Sequence, residues 1–185
     1  TATDSDQSSS NTDTMTITIT ITGANDAPVI TNSDNTGAVT EDAGTTTASD
    51  TLVFTDDDDA DTTLAWSMSG ATDNGLTQTL AGTYGSLVVT EASGAWTYTI
   101  DNADSDTTGI DAGETPTDAF TVTGTDTNGG SDTETVTITI TGANDAPTIT
   151  ASDNTGAVTE DAGTTTASDT LVFTDDDDAD TTLAW

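Results

Sequence analysis

An all-β sandwich built from many short strands is the fold class this sequence predicts, and three observations predict it. Large apolar residues recur at every second position in short runs, the period of a half-buried strand, and no stretch shows a helical period. The runs are rich in β-branched residues and are separated by clusters of Gly, Asp, Asn and Ser that favour turns. The stretch Thr22-Gly-Ala-Asn-Asp-Ala-Pro28 returns unchanged as Thr141-Gly-Ala-Asn-Asp-Ala-Pro147, so Gly23 and Gly142 stand 119 residues apart. The same offset carries Ser33 to Trp66 onto Ser152 to Trp185 without a difference. A period of this length means domains in series, each heptapeptide marking a junction, rather than a solenoid of 20 to 50 residue units.

The strands follow in order. Ala38 to Thr40 is a weak first strand; Leu52 and Phe54 mark a second; Leu64, Trp66 and Met68 a third. Leu87 with Val89, then Trp96, Tyr98 and Ile100, then Phe120 with Val122, and finally Val136, Ile138 and Ile140 complete seven. Met15, Ile17, Ile19 and Ile21 repeat the last of these patterns and predict the closing strand of a preceding unit. Seven alternating strands in about a hundred residues suggest an immunoglobulin-like sandwich. The predicted organisation is a final loop and strand over residues 1–22, a complete repeat over 23–141, and the first three strands of another over 142–185, an excerpt of a longer array. Ser8-Ser9-Ser10 falls in that first loop, which is longer than its counterpart between Thr123 and Thr141.

Charge narrows the function. The chain has 34 Asp plus Glu and no Lys, Arg, His or Cys, for a formal charge of −34. Carboxylates without any cationic partner must be solvated, bonded to neutral donors or neutralised by a bound ion. Nucleic acid and insertion into or binding to anionic membranes are excluded as roles, since both call for basic residues or an apolar span of roughly 20 residues. Zinc, copper and haem sites, Ser or Cys triads and Schiff-base chemistry lack their residues. No pair of carboxylates is singled out for glycoside hydrolysis, and no enzyme is expected. Disulfide stapling is impossible, while the hydrophobic content of 31% predicts a thin core.

Because successive strands run in opposite directions, the acidic loops sort to two poles. Asp56-Asp-Asp-Asp-Ala-Asp61 and the loop from Asp126 to Asp132 fall at the pole where the chain arrives through Asn25-Asp26. Glu41-Asp42 and the segment from Asp101 to Glu114 fall at the pole where it leaves through Asn144-Asp145. Four consecutive aspartates repel by about 1 kcal/mol per pair at 4 Å even in water. Their oxygens suit Ca²⁺, which accepts some 6–8 flexible oxygen ligands at about 2.3–2.6 Å. A solvated acidic loop is the plainer account of such a run. Trp66 and Trp96 fall at alternating strand positions, as core aromatics do, rather than as a sugar platform. One face of each threonine-rich strand is threonine.

Gly-Thr-Tyr-Gly-Ser-Leu (82–87), Trp-Thr-Tyr-Thr-Ile-Asp-Asn (96–102), Ala-Gly-Glu-Thr (112–115), Asp-Ala-Phe-Thr-Val (118–122) and Ile-Thr-Gly-Ala-Asn-Asp-Ala-Pro (140–147) together closely resemble the VCBS repeat of giant bacterial surface proteins. The resemblance implies an extender module of long, type I secreted adhesins of the repeats-in-toxin kind, located at the bacterial cell surface or secreted. The junctions are also similar to those of cadherin repeats, which bind calcium. That similarity implies ligands at Asn144 and Asp145 in the linker, Glu41, Asp111 and Glu114 before it, and Asp175 and Asp177 after it. Asn25, Asp26, Asp56 and Asp58 are the same positions one repeat earlier, and Asp126 resembles the late aspartate that cadherins contribute. Gly142 stands where the first cadherin linker aspartate would be, one linker asparagine is absent, and Asp111 to Glu114 is one residue wider than the cadherin spacing.

The expected function is therefore a structural extender of an adhesin or filament, stiffened by calcium and supporting cell attachment or biofilm. Its expected partners are neighbouring repeats of the same chain and like chains in a filament. The alternative is a module that itself grips glycans, ice or another surface, marked by an accessible aromatic or a flat threonine patch.

Overall fold

The computed structural model describes residues 2–3, 12–31, 35–58, 62–150, 155–161, 163 and 165–177. Ser8-Ser9-Ser10, Asp59, Asp61 and the expected third strand near Leu183 to Trp185 lie outside the described residues. Among the described residues fifteen strands run in chain order: β1 (Ala2–Thr3), β2 (Thr12–Asp13), β3 (Val29–Thr31), β4 (Thr36–Thr40), β5 (Thr47–Thr51), β6 (Val53–Thr55), β7 (Ala65–Ser67), β8 (Thr72–Asp73), β9 (Thr77–Ala81), β10 (Gly85–Thr90), β11 (Ala95–Ile100), β12 (Thr117–Thr125), β13 (Ser131–Thr141), β14 (Thr148–Thr150) and β15 (Val172–Thr174).

Two sheets form the sandwich. One has the order β5-β11-β10-β9-β8 and the other β4-β13-β12-β7. All neighbours are antiparallel except β4 and β13, which run parallel from Thr36 against Thr137 to Thr40 against Thr141. The first strand of the sandwich is thus split: β3 pairs with β6 in a separate two-stranded sheet, and β4 then joins the four-stranded sheet beside β13. The second is split as well, at Leu52, whose side chain is buried and whose N–H turns away to the Gly94 carbonyl at 3.1 Å. All-β architecture of the immunoglobulin-like kind is therefore present as the alternation predicts.

Strand parity explains the core. Val136, Ile138 and Ile140 of β13 face Phe120 and Val122 of β12, and these meet Leu87, Val89, Trp96, Tyr98 and Ile100 of the other sheet in one cluster of buried residues. Trp66 and Trp96 are each 2% exposed, so both are core aromatics. Phe54 meets Trp66 edge-on with ring centroids 6.4 Å apart. The intervening residues point outward. Thr117, Thr121 and Thr123 of β12 stand opposite Thr139, Thr135 and Thr133 of β13, with Thr36, Ala38 and Thr40 alongside on β4. In a chain whose only charges are negative, carboxylates placed there would oppose one another across the strands, which destabilises a sheet; threonine is a neutral β-former.

Four details differ from the sequence expectation. An additional hairpin, β8 and β9, is closed by Asp73-Asn-Gly75; it carries only Leu80 as a large apolar strand residue, so alternation did not mark it. One short helix, α1 (Ser105–Thr108), breaks the expectation of no helix; it is capped by Asp104, whose side chain accepts from the Asp106 N–H. Met15 to Ile21 forms no strand, and its four apolar side chains are 79–89% exposed. A strand needs partners for its backbone groups; the matching β13 has β4 and β12 on either side, whereas residues 15–21 are in no described strand pair. In the following repeat β14 and β15 pair as β3 and β6 do, Thr148 opposite Thr174 as Val29 is opposite Thr55, but residues 155–159 are not a strand.

Candidate cation-binding junctions

The loops between strands gather at two poles as strand direction dictates. At the N-terminal pole the linker residues Asn25 and Asp26 meet the sandwich that follows them. Asn25 Nδ2 donates to Asp126 Oδ2 at 3.0 Å, and the Asp26 N–H donates to Asp58 Oδ2 at 2.7 Å. Asp126 is buried and accepts further backbone N–H groups, among them those of Asn128 at 2.7 Å and Gly130 at 2.9 Å. The Asn25 amide, followed by the backbone donors and against a burial penalty, holds its carboxyl below the usual aspartate range. Gly130 lies so close to Asp126, Asn25 and the Ala27 backbone that a side chain there would intrude. Asp56 Oδ1 accepts from the Asp58 N–H at 2.9 Å, while its Oδ2 is buried with no hydrogen-bond partner.

The C-terminal pole is built on Glu41, 1% exposed at the turn after β4. Its N–H donates to the Thr141 carbonyl at 2.9 Å, and its Oε2 accepts from the Ala143 N–H at 3.1 Å. The Gly142 N–H donates to the Glu114 carbonyl at 3.0 Å. A Cβ on Gly142 would collide with the backbone carbonyls of Ile110 and Asp111, so glycine at this position is a packing requirement. Beyond it, Asn144 Nδ2 donates to the Asp145 carbonyl, and the Asp145 N–H donates to Asp177 Oδ2 at 2.9 Å. Asp175 Oδ1 accepts from the Asp177 N–H at 3.4 Å. These last two bonds repeat, one period on, those that join Asp26, Asp58 and Asp56.

Electrostatically the C-terminal pole is strained by like charge. Burial, partly offset by the Ala143 N–H and reinforced by Asp145, Asp42 and Asp177, raises the Glu41 carboxyl above its ordinary range. Burial and then Asp42, Asp177, Asp176 and Asp175 do the same to Asp145. Glu41 Oε1, Asp175 Oδ2 and Asp177 Oδ1 are buried without a hydrogen-bond partner. Such atoms cost about 1–3 kcal/mol each, and more when charged.

The structure thus brings together Glu41, Asn144, Asp145, Asp175 and Asp177 at one pole, and Asn25, Asp26, Asp56, Asp58 and Asp126 at the other. Asp111 and Glu114 approach the linker through their backbone carbonyls. Asp42, held at a φ of 50°, was not among the expected ligands although its charge bears on both Glu41 and Asp145; its place in the Glu-Asp pair at the turn was the available signal. Among the described residues no three acidic side chains are gathered as tightly as ligands around an ion. The donor set nevertheless fits a hard divalent cation: every candidate donor is oxygen, and buried carboxylate oxygens lack any proton donor.

Another buried acid has a structural role. Asp118 shares the inward parity of Phe120 and accepts from Thr83 N–H at 2.8 Å, Tyr84 N–H at 3.1 Å and Tyr98 Oη at 2.8 Å. It ties the Gly82-Thr-Tyr-Gly85 turn to the core, and burial together with Asp118 drives the Tyr98 hydroxyl pKa strongly upward.

A first strand split into β3 and β4, together with acidic linkers docked at both poles of the sandwich, defines an immunoglobulin-like module. The model of the bacterial cadherin-like domain matches residues 25–142, and the chain belongs to that family. Comparison with curated proteins finds no match. Among the described residues no helix is long and apolar enough to cross a membrane.

Proposed function

We propose that this chain is an extender segment of a long bacterial adhesin of the VCBS-repeat kind, in which calcium at the junctions stiffens successive sandwiches into a rod that supports attachment or biofilm. The observation that carries this reading is the C-terminal pole. There a buried Glu41 faces Asp145 and Asp177 with carboxylate oxygens that no donor satisfies, in a chain without one cationic side chain. On this reading residues 23–141 are one extender unit, 1–22 close the unit before it and 142–185 open the next. Its partners are neighbouring repeats and, in a filament, like chains; its place is the cell surface or the secreted fraction. The chain carries no chemistry of its own.

The ion would be held by Glu41 from the preceding sandwich, Asn144 and Asp145 from the linker, and Asp175 and Asp177 from the following sandwich. Its charge replaces repulsion between two acidic poles by shared attraction, which favours one orientation of the neighbours. One site at 100 times its dissociation constant adds about 2.7 kcal/mol, and extracellular modules bind at about 10⁻⁴–10⁻³ M. Melting followed by circular dichroism should therefore rise by roughly 5–10 °C between chelator and millimolar calcium. An unchanged melting temperature would remove calcium from the account.

One observation favours a second reading, direct binding to a glycan or ice surface: the uncharged threonine face of β4, β13 and β12. A twisted sheet is a poor match to a flat lattice, and the burial of Trp66 and Trp96 removes the aromatic platform. Pull-down on polysaccharide or ice in the presence of calcium, abolished by Thr121→Glu with Thr135→Glu, would establish it over the extender reading.

A further inference from the structure

The later copy of the heptapeptide divides at one point, and the earlier copy shows the same forward half. In Thr141-Gly-Ala143 every described hydrogen bond of the linker goes backward: Thr141 carbonyl to Glu41 N–H, Gly142 N–H to the Glu114 carbonyl, and Ala143 N–H to Glu41 Oε2. From the asparagine onward they go forward. Asp145 N–H reaches Asp177, and in the earlier copy Asn25 Nδ2 reaches Asp126 and Asp26 N–H reaches Asp58. Pro28, less than 2% exposed, is buried in the sandwich it precedes, whereas Pro147 is exposed and the later copy is held ahead by the Asp145 bond to Asp177 and by the pairing of β14 with β15.

We infer that the junction bends at one place, the Ala143–Asn144 peptide with the dihedrals on either side of it, and that the rest of the heptapeptide belongs rigidly to one sandwich or the other. This deepens the extender reading and rests on it, because it names where a rod of such modules flexes when no ion holds it. Two acids act as clamps on either side of this hinge, Glu41 behind and Asp177 ahead, each through a backbone N–H of the linker. A hinge this short has few degrees of freedom, so an ion contacting both clamps needs to fix only one peptide. It also explains a division of labour in the motif. Gly142 is required by close packing on the preceding sandwich, and proline, which cannot donate an N–H, comes only after the last forward bond.

The hinge is testable without calcium. The chain has no cysteine, so Thr97→Cys and Thr170→Cys carry one spin label on each side of the junction, and distance distributions are measured in chelator. Ala143→Gly should broaden the distribution. Asn144→Pro, which fixes its own φ and pushes residue 143 to extended conformations, should narrow it. Ala146→Gly, between the Asp145 bond to Asp177 and the pairing of β14 with β15, should leave the width as it is. Broadening by Ala146→Gly as large as that by Ala143→Gly, or no response to either Ala143→Gly or Asn144→Pro, would overturn the assignment. Calcium is then added to the labelled parent: a width indifferent to calcium defeats the calcium-stiffening reading, while the order of the three variants in chelator judges the hinge alone.

Discussion

The two poles of the sandwich carry the same heptapeptide and meet it with opposite electrostatics. At the N-terminal pole the linker supplies a neutral amide, and Asn25 with backbone donors stabilises the Asp126 carboxylate in its charged form. At the C-terminal pole the linker supplies a carboxylate, and Asp145 joins Glu41, Asp42 and Asp177 where charge is already excessive. The difference teaches that the two halves of the linker meet their sandwiches with different chemistry. Its asparagine completes a site on the sandwich ahead without help, whereas its aspartate, placed between two acidic surfaces, calls for a positive ion or a proton.

The largest expected effect separates the two linker glycines. Gly142→Ala should destabilise the repeat by about 1–3 kcal/mol, because the new methyl meets fixed carbonyls of Ile110 and Asp111. Gly23→Ala, with open space around it in this chain, should stay within about 0.5 kcal/mol. Chemical denaturation of both variants checks the contrast, and equal losses would erase it.

A smaller effect, with a change of sign, is expected at Glu41. Glu41→Gln keeps an acceptor for Ala143 but removes one member of a like-charge cluster, a matter of about 1 kcal/mol per close pair. In chelator the variant should melt above the parent; in calcium it should melt below it, having lost a ligand. A variant less stable than the parent under both conditions would show that the Glu41 charge is satisfied within the protein.

Smallest is the pH response in chelator, where the poles should move in opposite directions. The raised pKa values of Glu41 and Asp145 give a stabilising contribution that is full at acid pH and is lost as pH rises through them. The lowered pKa of Asp126 gives one that is present above the ordinary aspartate value and is lost as pH falls through its own. Carboxyl titration by NMR should place Glu41 above and Asp126 below their ordinary values; a common midpoint would make the poles equivalent.

Much of the fold was legible because alternation specifies faces: Val136, Ile138, Ile140, Trp96 and Tyr98 are buried as their parity requires. The hairpin of β8 and β9 was missed because Gln78 rather than an apolar residue occupies its inner position, where it accepts from the Met68 N–H at 2.6 Å; the Asn74-Gly75 dipeptide was the unused signal. Asp118 was also within reach, since it shares the parity of Phe120. Met15 to Ile21 shows the converse, alternation without partners and hence without a strand. The assignment of acidic loops to poles followed from strand direction and agrees with the contacts of Asn25, Asp26 and Asp145. Which oxygens lack donors was not legible, because that depends on distances of a few tenths of an ångström between loops far apart in sequence.

The central claim is that an ion shared across the linker sets the orientation of neighbouring sandwiches, and small-angle scattering from a multi-repeat chain tests it most directly. Reach grows in proportion to repeat number when junctions are stiff and as about the square root when they are flexible. The account predicts a larger maximum dimension in millimolar calcium than in chelator, with Asp145→Ala matching the chelated parent in both. A maximum dimension indifferent to calcium and to Asp145→Ala would contradict it and leave these repeats as plain spacers.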